Sequence, residues 1–156
     1  MRIILFLLIA LPVLLVGCSS SDSNSLVDYD HSKLSSEFEN EGIQPKLPTG
    51  FPVRIKGHER VIPPHETSRY ETKFTGENGE IFTLIVHSGP VAYEEGMKKE
   101  DVSINGSEGF YTENEVTGPS LHWTEGKYHY ILDYSTIALE TEVNKETMMA
   151  IAESFE

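Results

Sequence analysis

From Leu121 to Tyr134 the large side chains keep a two-residue period on both sides of a short polar break. A four-residue loop, Thr124-Glu125-Gly126-Lys127, sets Trp123 opposite Tyr128 and Leu121 opposite Tyr130. Leu121, Trp123, Tyr128, Tyr130, Leu132 and Tyr134 then share one face, and His122, Thr124, His129 and Asp133 share the other. A three-residue loop would scatter the aromatic rings over both faces. Because a slip of one residue turns every side chain over, this pattern calls for an antiparallel hairpin with one covered face.

Two more hairpins precede it. Thr67 to Thr75 alternates, with Tyr70, Thr72 and Phe74 on one face; Glu77-Asn78-Gly79 turns the chain, and Ile81 to Val86 returns. Asn-Gly accepts positive φ at low cost. The returning strand is apolar on both sides, which predicts an interior strand covered twice. Val102 and Ile104 lead into a second Asn-Gly turn at Asn105-Gly106, and Gly109 to Thr112 comes back. Val53 and Ile55 alternate with Arg54 and Lys56 beside Pro52, the pattern of a short edge strand. Val91 to Glu100 reads as a short helix or a loop. Met148, Ile151, Ala152 and Phe155 form one helical stripe after an Asn144 cap, and Val143 is placed to staple onto Met148. So short a helix needs a surface to lie on. The expected fold class is α+β: an antiparallel sheet of hairpins covered on one face by a C-terminal helix.

The N-terminus reads differently. Met1-Arg2 precedes an apolar run from Ile3 to Val16, then Gly17-Cys18. The run is shorter than the roughly 20 residues of a spanning helix. It has the form of a secretory signal peptide, with a retained short anchor as the alternative. Leu15-Val16-Gly17-Cys18 resembles the lipobox of bacterial lipoproteins. That resemblance implies a diacylglycerol on the Cys18 thiol and cleavage before it. Two or three acyl chains hold a domain on a bilayer where one would not. Residues 1–17 are thus expected as a signal peptide, 18–43 as a polar tether and 44–156 as the folded domain. Within the tether, Leu34 and Phe38 allow a short helix. The expected location is the extracytoplasmic side of a bacterial cell membrane.

With 12 basic against 25 acidic residues, a net charge of −13, the chain is ill suited to nucleic acid or to a polybasic hold on lipid. Cys18 is the only cysteine, so an internal disulfide and a Cys-rich zinc site are ruled out. The motifs Val102-Ser-Ile-Asn-Gly, Gly109-Phe-Tyr, Leu121-His-Trp-Thr-Glu-Gly, Tyr128-His-Tyr-Ile-Leu and Met149-Ala-Ile-Ala-Glu-Ser-Phe155 resemble a small bacterial domain of unknown function. It occurs in lipoproteins and in the outer parts of anti-sigma-factor-like membrane proteins. The resemblance spans about residues 45 to 156 and implies an extracytoplasmic α+β domain without established catalytic residues.

Three constellations can carry function. His122 and His129, directly opposite in the register above, could share a metal ion with Asp133 or a partner residue completing the set, or could be two exposed strand residues. Trp123, Tyr128 and Tyr130 could stack a ligand or carry the terminal helix. Glu94-Glu95 and Glu100-Asp101 lack a Ca2+-loop spacing, and Asn105-Gly106-Ser107 reads as a turn. No nucleophile elbow, zinc-helix motif or P-loop is present. The expectation is a non-enzymatic lipoprotein that binds an envelope component or partner protein, with no cofactor beyond the lipid on Cys18. The alternative is metal or small-ligand binding, at the His122/His129 face or in a groove between sheet and helix.

Overall fold

The computed structural model describes residues 25–61, 68–93, 96–114, 117–136 and 141–156. Cys18, the expected leader and Glu94-Glu95 lie outside them.

Seven antiparallel strands form the main sheet: β3 (Ile55–Val61), β4 (Arg69–Gly76), β5 (Glu80–His87), β6 (Glu100–Ile104), β7 (Ser107–Asn114), β8 (Gly118–Glu125) and β9 (Tyr128–Thr136). Their spatial order is β3-β4-β5-β9-β8-β7-β6. Two meanders are thus joined where the last strand folds back beside β5, pairing Phe82 with Tyr134 and Leu84 with Leu132. β5 is interior, as its two-sided apolar sequence predicts, and β3 forms an edge. The two Asn-Gly turns occur as expected. Asn105 and Gly106 both take positive φ, +50° and +84°, as a type I′ turn requires.

The third hairpin differs from expectation by two residues. Trp123 faces Tyr130 and Leu121 faces Leu132; only Gly126-Lys127 remain in the turn. Gly126 supplies a positive φ of +60° at the first turn position, where a type II′ turn needs glycine. Burial of the aromatic face determines only odd or even register, so a two-residue loop satisfies it as well as a four-residue one. The face assignment therefore stands, but His122 lies opposite Ile131 and His129 opposite Thr124, so the two histidines are diagonal neighbours.

The helical cover also differs. α2 (Lys145–Glu153) is capped by Asn144, whose side chain accepts from the Thr147 amide at 3.0 Å, and it buries Met148, Ile151 and Ala152. It lies over the β8 and β6 end of the sheet only. Residues 25–43, expected as tether, belong to the folded unit. β1 (Val27–Asp28) pairs with β2 (Gly50–Phe51), and α1 (Ser32–Asn40) buries Leu34 and Phe38 completely, at 0% and 1% exposure. The Arg60 guanidinium covers the Phe38 ring at 4.0 Å, and His58 on β3 bonds both Tyr29 and Glu37. The stretch is too polar to build a core alone. Two apolar residues four apart suffice because β3 and β4 leave a surface that α2 does not reach. The covered face is therefore shared by two helices and a two-stranded ribbon.

Candidate binding site on the second sheet face

Strand pairing lays the opposite face out in rows. Ile85, Ile131, His122, Phe110 and Asp101 form one row across β5, β9, β8, β7 and β6. His87, His129 and Thr124 form the next on one side, and Thr83, Asp133, Ser120 and Thr112 on the other. The segment after β5 crosses this face as a strap. Its described residues are not helical. Tyr93 stands edge-on to Phe110 and His122, at 5.0 and 5.3 Å between ring centres. Its hydroxyl is hydrogen-bonded to His129 Nε2. Phe110 stacks on His122 at 4.4 Å and 10°. The Lys99 ammonium lies 4.4 Å from the Tyr93 ring centre and 4.5 Å from that of Phe110, within cation–π range.

Beneath the strap His122 is 7% exposed. Ser120 Oγ donates to Asp133 Oδ1 at 2.5 Å and so accepts from His122 Nε2 at 2.8 Å. That places the imidazole proton on Nε2 and leaves a lone pair on Nδ1, which has no hydrogen-bond partner among the described residues. Burial, then the neighbouring His129 and Lys99, hold the His122 pKa down to about 4, so the ring is neutral at pH 7. His129 is lowered by burial and by His87, and His87 by burial and by Arg69. Burial pushes Asp133 up against the opposing Ser120 hydrogen bond, and raises Tyr93 to about 12. Three other buried polar atoms are also unpartnered among the described residues: Arg60 Nη1, Thr72 Oγ1 and Trp123 Nε1. All three belong to side chains on the covered face.

A cleft of about 890 Å3 opens between the strap and the β6–β9 strands, and His122, Phe110, Tyr93 and His129 border it. Its size is that of a small-ligand site. Ser120, His122 and Asp133 lie together, but the hydroxyl sits between imidazole and carboxylate. A nucleophilic serine instead needs the imidazole between the other two.

The candidate residues divide by face. The His122 and His129 rings approach to 6.2 Å, but both nitrogens of His129 are engaged, by Tyr93 and Thr124. Among the described residues no group of three or more His, Cys, Asp or Glu comes together to hold a metal ion. His87 joins His129, whereas His58 serves α1. Trp123 and Tyr130 stack at 5.0 Å under Phe155 in the core. Tyr128 and Tyr130 hydroxyls accept from the Gln44 and Lys46 amides. The aromatic platform thus carries the chain's own segments, and the space between sheet and α2 is filled by Met148, Ile151 and Phe155. Trp123 and Tyr128 still border the cleft at its turn end; Tyr130 does not. Glu100 pairs with Lys145, and the Asn105 side chain donates to the Glu153 carbonyl.

Phe110 and Ser120 could have been placed on this face by counting residues from His122. Tyr93 could not, because nothing local brings the strap back over the sheet. No helix among the described residues is long and apolar enough to cross a membrane. No family model, curated protein or solved structure matches this chain.

Proposed function

We propose that this chain is a non-enzymatic, lipid-anchored extracytoplasmic protein whose folded domain binds an envelope component through the cleft beneath the strap. The observation that carries the binding role is a neutral, buried imidazole with an unused acceptor at the wall of a cleft of ligand size. The serine-centred order of Ser120, His122 and Asp133 supports binding over catalysis. The anchor rests on Leu15-Val16-Gly17-Cys18.

Packing of β1 shortens the tether. Seven residues, Ser19 to Ser25, separate Cys18 from Leu26, which packs against the core. They reach about 28 Å at full stretch. The domain would work close to the bilayer, with its net negative charge opposing contact with anionic lipid.

Metabolic labelling with a radioactive fatty acid tests the anchor. The wild-type protein should carry label and sediment with membranes, whereas Cys18→Ser should lose both. An unlabelled wild type, or a Cys18→Ser protein that stays membrane-bound with its leader removed, would overturn the anchor.

A further inference from the structure

We propose that residues 89–93 of the strap are an acid-released clasp: proton uptake by His122 frees Tyr93 from the sheet and removes one wall of the cleft. The clasp is independent of what the cleft binds. His122 gives its Nε2 proton to Ser120, and its Nδ1 is buried without a hydrogen-bond partner among the described residues. A charged imidazole carries a proton on both nitrogens. The second proton then points into a closed, largely aromatic shell, where an unpaired cationic N–H is costly. Phe110 lies flat on the His122 ring and Tyr93 stands edge-on to it. Water reaches Nδ1 only when a cover moves.

Tyr93 is the cover that can leave. Phe110 is fixed in β7, which is paired along both edges. Among the described residues, the Ser88 amide, bonded to the Ser68 carbonyl, makes the last backbone bond before the strap crosses the face, and residues 89–93 make none. Tyr93 is held by its ring contacts and by its hydroxyl bond to His129. The charges around His122 favour release. From the strap side, the Lys99 ammonium lies against both Tyr93 and Phe110, with Lys98 exposed beside it. On β9 stands His129, next to His87 of β5, which feels Arg69 of β4. His129 and Lys99 both oppose a charge on His122. Of the carboxylates, Asp133, itself near Glu71, sits behind Ser120 on the Nε2 side, away from Nδ1. Asp101 on β6 and Glu108 on β7 are exposed. His122 titrates near 4 under the clasp and near 6.5 in water, so the open form takes the proton first. Acid therefore shifts the balance towards the open form, by about 300-fold at most between those values.

NMR of the full chain in detergent tests the clasp. Imidazole nitrogen shifts report each histidine, and nuclear Overhauser contacts report the rings. At pH 7 Tyr93 should contact Phe110 and His122, and Trp123 should contact Phe155 on the covered face. On acidification His122 should titrate between about 4 and 6.5. The Tyr93 contacts should vanish with the same midpoint while the Trp123–Phe155 contact persists. Tyr93→Phe, which loosens the clasp and leaves the proton site intact, should move that midpoint up by about half a pH unit. His122→Gln, whose amide can still donate to Ser120 but does not titrate, should keep the Tyr93 contacts down to pH 4. Should that variant lose them already at pH 7, the wild-type midpoints decide. The proposal is overturned if the wild-type Tyr93 contacts remain at pH 4 or outlast the titration of His122. It is overturned equally if the Trp123–Phe155 contact disappears with them, since the whole domain is then unfolding. Loss of the Tyr93 contacts in His122→Gln at the wild-type midpoint assigns the trigger to another group and overturns it too.

Discussion

Both faces of the sheet bury aromatic side chains, and they are used in opposite ways. On the covered face Phe74, Phe82, Leu84, Leu132, Leu121, Trp123 and Tyr130 meet α1, α2 and the β1–β2 ribbon, all at 1% exposure or less. On the other, Tyr93, Phe110, His122 and His129 pack through one strap, with hydrogen bonds threaded between the rings. The covered face is continuous and apolar, so its contacts are non-directional and reinforce the whole fold. The second face leaves an acceptor unused and a cleft open. Burial alone does not mark a core: His122 is as hidden as Ile43 or Val143, yet its Nδ1 has no partner among the described residues.

Substitutions should separate the faces. Trp123→Ala removes the ring between Tyr130 and Phe155 and should cost about 4 kcal/mol in urea unfolding. Phe38→Ala should cost about 3 kcal/mol in the same measurement. If residues 25–43 were only a tether, its cost would be near zero.

Acid should act through the second face. His122 titrates near 4 when folded and near its ordinary 6.5 when unfolded, so the unfolded chain binds its proton first. Stability is therefore fully present above pH 6.5 and falls as the pH drops towards 4, by about 3 kcal/mol at most from this residue. His129 and His87, also lowered, act in the same direction. Asp133, raised by burial, acts the other way, adding stability as it protonates in more acid solution. Urea midpoints at pH 7 and pH 5 should differ in the wild type and differ less in His122→Asn.

Smaller effects sharpen the contrast. Phe110→Ala, which removes the ring stacked on His122, should cost about 1.5 kcal/mol because one side of it is open to the cleft. Tyr93→Phe deletes only the hydroxyl bonded to His129 and should cost about 1 kcal/mol. Hydrogen exchange should then quicken in β9 near His129 and stay slow at Leu132.

Much of this was legible residue by residue. Alternation assigned Leu121 and Trp123 to one face and His122 to the other, and Asn105-Gly106 and Asn144 announced a turn and a cap. The exact partner of Trp123 was not legible, since two-residue and four-residue loops leave the same residues buried. Gly109 shows another missed signal. A Cβ there would come within 3.0 Å of Trp123 Cβ and collide with the His122 carbonyl, so the glycine admits the tryptophan opposite it. Leu34 and Phe38 looked like isolated apolar residues in a polar stretch until β3 and β4 gave them something to cover.

Sequence alone settled face membership, the two Asn-Gly turns and the capped helix. Each depends on neighbours within a few residues, where period, turn geometry and capping act. Tertiary structure alone decided that β9 returns beside β5, that two helices share one face, and that the strap brings Tyr93 onto His122 and His129. Those contacts join residues dozens of positions apart, and only the assembled sheet supplies the surfaces that make them favourable.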